Sequence, residues 1–328
     1  MFVNSGRRIA APTPEAIAEA AGIIREGGLV AFPTETVYGL GANGLDEGAV
    51  ERIFAAKGRP QDNPLILHLA RIGDAEKYAE TNETADRLMQ QFWPGPLTIV
   101  LYALDVVPAA TRAGLDTVAL RMPYNAVALD LIRECRLPLA APSANRSGRP
   151  SPTTAEAVFE DLGKSVDMIL DGGATSIGLE STVVDASEGA VSILRPGGVT
   201  REMLRQVVDL CEGDALLPLR SPGNRHRHYA PRVPLLLWNA RADEADRIFQ
   251  HMNGESWAYL GVSAPPAGPV PPLRALCFSS PEAYAQGLFA ALRELESCGC
   301  TWLLAELPEP AGIGEALRNR LQRAAEEV

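Results

Sequence analysis

Long hydrophobic runs, cysteine, histidine and positive charge are all scarce in this chain. No apolar stretch approaches the ~18 residues of a membrane-spanning helix, so no membrane association is expected. The opening residues "MFVNSGRRIAAPTPEA" contain no apolar segment of the secretory kind, which leaves a cytoplasmic location as the expectation. The five cysteines are odd in number and scattered, and read as reduced thiols, not as a disulfide framework. Cys298 and Cys300 stand closer than zinc ligands usually do and have no second pair, so no protein-held metal is expected. Lys and Arg total 30 against 41 Asp and Glu, a formal charge of −11. That balance argues against broad nucleic-acid binding, which depends on neutralising phosphates, but not against a local cationic pocket. Three common catalytic signatures are missing as well. There is no GxxxxGK[ST] loop, no GxGxxG after a strand, and no GxSxG elbow.

What is present is ample material for a core: 328 residues, 46% hydrophobic, the length of two ordinary domains. Helical periodicity with capping signals predicts helices over 13–24, 47–58, 82–93, 125–136, 153–162 and 199–210. Apolar or alternating runs predict strands at 29–32, 64–70, 97–104, 117–123, 137–145, 167–173, 181–186 and 191–198. Residues 1–210 therefore read as one mixed α/β domain. "SPGNRHRHYAP" (221–231) carries half of the four histidines and reads as part of a linker spanning 211–232. From 233 to 328 strands alternate with helices, the pattern of a small βαβ sheet. No internal repeat or low-complexity tract is visible.

The chemistry concentrates in short polar clusters beside the strands of the first domain: "PTETVYG" (33–39), "KGRPQDNP" (57–64), "RMP" (121–123), "PSANRSGRPSPTT" (142–154), "GLESTVVD" (178–185) and "RPGG" (195–198). Loops at strand ends are where α/β proteins commonly bind ligands. These clusters are rich in cations and neutral donors (Lys57, Arg59, Arg121, Arg195, Thr36, Ser143, Asn145, Ser151, Ser181) and poor in general bases. Taken singly, each reads as a solvated loop residue or a helix cap, and His68 as a core histidine bonded to a carbonyl. Taken as a set, they suit phosphoryl or nucleotidyl transfer, where positioning and charge stabilisation matter more than covalent participation. Ser143 and Ser181 have no histidine and acid at a motif spacing, which counts against a hydrolase triad.

In their order, the blocks "FPTETVYGLGAN", "KGRPQDNPLILHL", "PGPLTIVL", "APSANRSGRPSPTTAEAV", "GLESTVVD" and "ILRPGGVT" resemble the Sua5/YrdC/YciO family. The linker and "GIGEALRNRLQRAA" (312–325) resemble its two-domain Sua5 type. The resemblance implies a YrdC-like twisted mixed sheet whose helices and loops form a concave site, plus a small Rossmann-like C-terminal domain. It implies a threonylcarbamoyl-AMP synthase reaction, in which L-threonine, bicarbonate and ATP give the adenylate and pyrophosphate. Mg2+ would ride on the triphosphate. The product would pass to a separate tRNA threonylcarbamoyl transferase, for modification of adenosine 37 in ANN-decoding tRNAs, with direct tRNA contact a further expectation. By the family pattern Lys57, Arg59, Ser143 and Asn145 are the catalytic pairs. Lys57, Arg59, Asn63, Thr117, Ala141, Ser143, Asn145, Ser151, Arg195 and Tyr229 go to ATP, and Thr36, His68, Arg121 and Ser181 to threonine. The linker would close over the site. It departs from the family's usual wording at Asn224, Arg225 and His226, with Arg for Lys keeping the charge. Two rivals stay open: an RNA-binding module of the same fold, and a carbamoyl-adenylate former using carbamoyl phosphate, whose relatives carry an extra module this length does not accommodate.

Overall fold

The computed structural model describes residues 9–211 and 228–326. Most of the segment 211–232 expected to be a linker, including Asn224, Arg225, His226 and Arg227, lies outside the described residues.

Ten strands form a large twisted sheet: β1 (Ile9–Ala10), β2 (Val30–Phe32), β3 (Gly39–Asn43), β4 (Ile66–His68), β5 (Leu97–Tyr102), β6 (Thr117–Arg121), β7 (Leu139–Ala140), β8 (Met168–Leu170), β9 (Thr182–Asp185) and β10 (Ser192–Arg195). Their order is β1-β8-β2-β3-β7-β4-β6-β5-β9-β10. The sheet is mixed: β4–β6 and β5–β9 pair in parallel, for example, while β5–β6 and β3–β7 are antiparallel. Helices α1 (Pro14–Arg25), α2 (Glu47–Lys57), α3 (Glu83–Phe92), α4 (Ala126–Cys135), α5 (Ala155–Leu162) and the short α6 (Arg201–Arg205) accompany it. Their starts are chemically marked. Thr13, Asp46, Asn82, Asn125 and Thr154 each accept a bond from the backbone N–H three residues on.

Several predicted elements come out shorter, among them the strands expected over 64–70, 167–173 and 191–198, and two cases have a readable cause. The run 137–145 pairs as a strand only at Leu139–Ala140, because Pro138 and Pro142 cannot donate to a ladder. The helix expected over 199–210 ends at Arg205; Val207 and Val208 follow, and Leu210 bridges to Val191.

The second sheet holds β11 (Leu235–Trp238), β12 (Trp257–Gly261), β13 (Arg274–Cys277) and β14 (Trp302–Glu306) in the order β11-β14-β12-β13, all parallel. The crossovers contain α7 (Ala242–Met252) and α8 (Pro281–Leu295), and α9 (Ile313–Ala324) closes the chain's described part. Among the described residues no helix is long and apolar enough to cross a membrane.

The two sheets are joined through charged side chains. Arg293 in α8 bonds Asp161 at 2.6 Å and the Pro150 carbonyl, and Arg149 pairs with Glu296. Arg201 meets Glu315 at 2.7 Å, and Arg320 in α9 meets Glu180 at 2.7 Å.

Candidate active site

The strand ends and loops of the large sheet converge on one cleft, and the K-G-R turn shows how. Asp46 caps α2, and the helix runs until Gly58, which adopts φ 61°. That left-handed conformation is cheap only for glycine. A Cβ there would meet nothing, so the backbone angle, not space, asks for glycine. The reversal sends Lys57 and Arg59 different ways. Lys57 is buried, and its ammonium donates to the carbonyls of Ser143 and Asn145, each at 2.5 Å. It thereby ties α2 to the loop after β7. Burial, with the nearby Arg59 charge adding to it, pulls the Lys57 pKa well below its ordinary value. Arg59 lines the cavity. It is held at one edge by the Asn63 and Pro64 carbonyls, while its Nε has no protein partner among the described residues.

The Ser143–Asn145 loop is cross-braced by its own side chains. Ser143 Oγ donates to Asn145 Oδ1 at 2.6 Å, and Asn145 Nδ2 donates to the carbonyls of Arg146 and Arg149. Opposite it, Arg121 at the end of β6 is buried with Glu35 Oε1 2.7 Å from its NH2. The contact is close but not aligned as a hydrogen bond, so both groups keep bonding capacity. Thr34 Oγ donates to the Val37 carbonyl, which leaves Thr36 Oγ to donate to Thr34 and turn its lone pairs elsewhere. Ser181 Oγ sits 2.8 Å from Thr98 Oγ1 and accepts from Arg195, whose Nε and NH2 also donate to the Ser181 carbonyl. Gly197 is needed here, since a Cβ would stand 2.3 Å from the Thr182 nitrogen and 2.5 Å from the Glu180 carbonyl. Burial lowers Arg59 and Arg195 only to about 10, so both stay charged near neutrality.

His68 has Nδ1 3.2 Å from the Ile66 carbonyl. Burial, then the Arg121 charge, push it down to about 3, so it is neutral. His228 is neutral for the same leading reason, followed by Arg59 and Lys57. Its buried Nε2 has no partner among the described residues. Tyr229, at φ 67°, stacks on Phe289 with ring centres 5.3 Å apart, and Ala230 donates to the Gly148 carbonyl. Residues 228–230 thus pack into the cleft. The free volume left is about 60 Å3, room for a few waters and too little for a nucleoside triphosphate.

Of the fourteen residues singled out from sequence, nine line this cavity: Thr36, Arg59, His68, Arg121, Ala141, Ser143, Ser181, Arg195 and Tyr229. Lys57, Asn63, Asn145 and Ser151 stand behind its wall, in contact with lining residues or their loops. Thr117 lies at the far end of β6 from Arg121, roughly 13 Å along the strand, and does not line the cavity. The structure adds Thr34, Glu180 and His228 to the lining. It also adds Glu35 behind Arg121, and Arg320 from a region in which sequence reasoning names no site residue. Among the described residues no group of three or more His, Cys, Asp or Glu is arranged to hold a metal ion.

Comparison with known proteins agrees with this architecture. Residues 22–197 match the Sua5/YciO/YrdC family model, described as "Telomere recombination", and residues 199–326 match the model "Threonylcarbamoyl-AMP synthase, C-terminal domain". The threonylcarbamoyl-AMP synthase of Pyrococcus abyssi is 45% identical over 319 residues, 93% of each chain. That of Bacillus subtilis is 41% identical, covering 99% of this chain and 96% of the relative. The crystal structure of P. abyssi Sua5 complexed with L-threonine superposes with a TM-score of 0.86 at 44% identity, over 94% of each chain. The chain belongs to the two-domain Sua5 family of threonylcarbamoyl-AMP synthases.

Proposed function

We propose that this chain condenses L-threonine, bicarbonate and ATP into L-threonylcarbamoyl-adenylate, releasing pyrophosphate and water. The observation that carries the reading is a buried cleft lined by three guanidinium groups, Arg59, Arg121 and Arg195, with two histidines held neutral. Such a site favours anions and offers no strong base. The structure of the P. abyssi relative with L-threonine supports threonine as the amino acid.

The threonine amine, once it has lost its proton, attacks the carbon of bicarbonate or CO2. The resulting carbamate oxygen then attacks the α-phosphorus of ATP, the α–β bridging bond breaks, and pyrophosphate leaves. Two anions must meet, and closely placed cations offset their repulsion. Arg121 receives the threonine carboxylate, which fits its planar fork. Thr36 turns lone pairs towards the amine or hydroxyl, and His68 and Ser181 complete that subsite. Arg59 and Arg195 hold the phosphates, with Ser143, Ala141 and Tyr229 around the nucleotide. Lys57, Asn145, Asn63 and Ser151 keep those groups aimed, and Thr117 is assigned to ATP on the family pattern alone. Mg2+ enters with the triphosphate.

On this reading residues 1–210 are catalytic, 211–232 close the site through His228 and Tyr229, and 233–328 are the C-terminal domain. Closure keeps water from the labile carbamate and adenylate. The product goes to a separate transferase acting on adenosine 37 of ANN-decoding tRNAs in the cytoplasm. The test is incubation with ATP, L-threonine and 13C-bicarbonate, followed by mass spectrometry. An adenylate carrying one 13C is expected; AMP with no labelled adenylate would reject the proposal.

A further inference from the structure

Glu180 is out of place in an anion site. It lines the cavity beside Arg195, Tyr229 and Ser181, and a carboxylate there opposes any phosphate. Its neutralisation comes from the other sheet's region. Arg320 in α9 has no exposed surface. Its Nε donates to Glu180 Oε2 at 2.7 Å, its NH2 to the Glu180 carbonyl at 3.3 Å, and its NH1 to the Pro196 carbonyl and Asn319 Oδ1. The other carboxylate oxygen of Glu180 accepts from Ser151 at 2.5 Å. The Arg320 guanidinium also lies 5.7 Å from the centre of the Tyr229 ring, which lines the same cavity.

We propose that Arg320 is a positioning residue of the nucleotide site: it cancels and fixes the Glu180 carboxylate, so that the C-terminal domain sets the pocket's affinity for polyanions. The inference rests on the nucleotide reading above. Burial alone would raise the Glu180 pKa, but Arg320 and Arg195 outweigh it and hold the group ionised. Without Arg320 a buried negative charge would face the phosphates, and the penalty would grow with ligand charge. A merely structural role for Arg320 would loosen all ligands alike.

The experiment measures binding of adenosine, AMP, α,β-methylene-ATP and inorganic tripolyphosphate to the full chain by calorimetry. In Arg320→Met the triphosphates are expected to weaken at least tenfold, AMP less, and adenosine within twofold. Adding Glu180→Gln to Arg320→Met is expected to restore triphosphate binding to within about threefold of wild type. Equal weakening of all four, no weakening, or no rescue would overturn the inference. If Arg320→Met does not fold, Glu180→Gln alone is expected to tighten triphosphates relative to adenosine, and an unchanged ratio would overturn it. Wild-type binding of tripolyphosphate but not of nucleotides would reject the nucleotide reading while leaving Arg320 testable on the inorganic ligand. Wild-type binding of no anion would reject both.

Discussion

Two buried carboxylates, one in each sheet's region, have opposite surroundings. Glu306, at the carboxyl end of β14, accepts from Tyr259 Oη, the nitrogens of Val262 and Ser263, and Ser263 Oγ, at 2.7–2.9 Å. It occupies the strand-end position where open parallel sheets usually receive ligands, and there it pins the loop after β12. In the large sheet's cleft, among the described residues, Glu35 has only an unaligned contact with Arg121, and Arg59 Nε and His228 Nε2 have no protein partner. Buried polar groups are normally satisfied, so a cluster that is not marks where a ligand completes the bonding. Topology alone would have nominated the small Rossmann-like sheet for the nucleotide. The satisfaction of its polar groups argues for the other.

Breaking the cleft should cost activity most. Arg59→Ala and Lys57→Ala are each expected to lower the rate of pyrophosphate release at least about 100-fold. The two should separate in stability. Lys57→Ala leaves the Ser143 and Asn145 carbonyls without their donor, and should lose about 1–3 kcal/mol in urea unfolding, with a smaller loss in Arg59→Ala. Full activity in both variants would remove the cleft from the chemistry.

Breaking the Glu306 network should do the reverse. Glu306→Gln is expected to cost about 2–3 kcal/mol of stability, with kcat/KM of the folded protein unchanged. Lost activity at unchanged stability would make the small sheet a site after all.

Acid should sharpen the contrast. His68 and His228 are held near 3 in the folded chain against an ordinary 6.5. Their contribution is complete above pH 6.5 and is lost as pH falls towards 3, because the unfolded chain takes up protons first. At pH 5 each should cost about 2 kcal/mol, so the urea midpoint should fall between pH 7 and 5, and His228→Asn should reduce that slope. An NMR titration placing either ring near 6.5 would contradict this. Arg133→Ala, which removes an exposed pair with Asp130 far from both networks, should stay within about 0.5 kcal/mol and leave activity unchanged.

The sequence makes most elements legible because period, caps and breakers agree in them: α1, α2, α3 and α4 lie within one residue of expectation at each end, and α5 within two. β3 escapes notice because "GLGAN" has two glycines and no β-branched residue. Its partners at β2 and β7, not its own propensity, make it a strand. The cleft's cations and hydroxyls are visible as motif clusters, but their division of labour is not. Nothing local in "KGRP" says that Lys57 turns to backbone carbonyls while Arg59 faces the cavity. Glu180 is hidden among donor residues in "GLEST". Arg320 looks like one more charge on an amphipathic closing helix, since a partner 140 residues away leaves no local trace.

The most direct test of the account is pyrophosphate release from ATP and bicarbonate with L-threonine, with L-serine, or with no amino acid. Release that requires both bicarbonate and threonine is the expected result, with serine less effective by the ~1–3 kcal/mol of one methyl group. No release from folded protein in any mixture would contradict the synthase assignment and favour an RNA-binding or carbamoyl-phosphate role for the same fold.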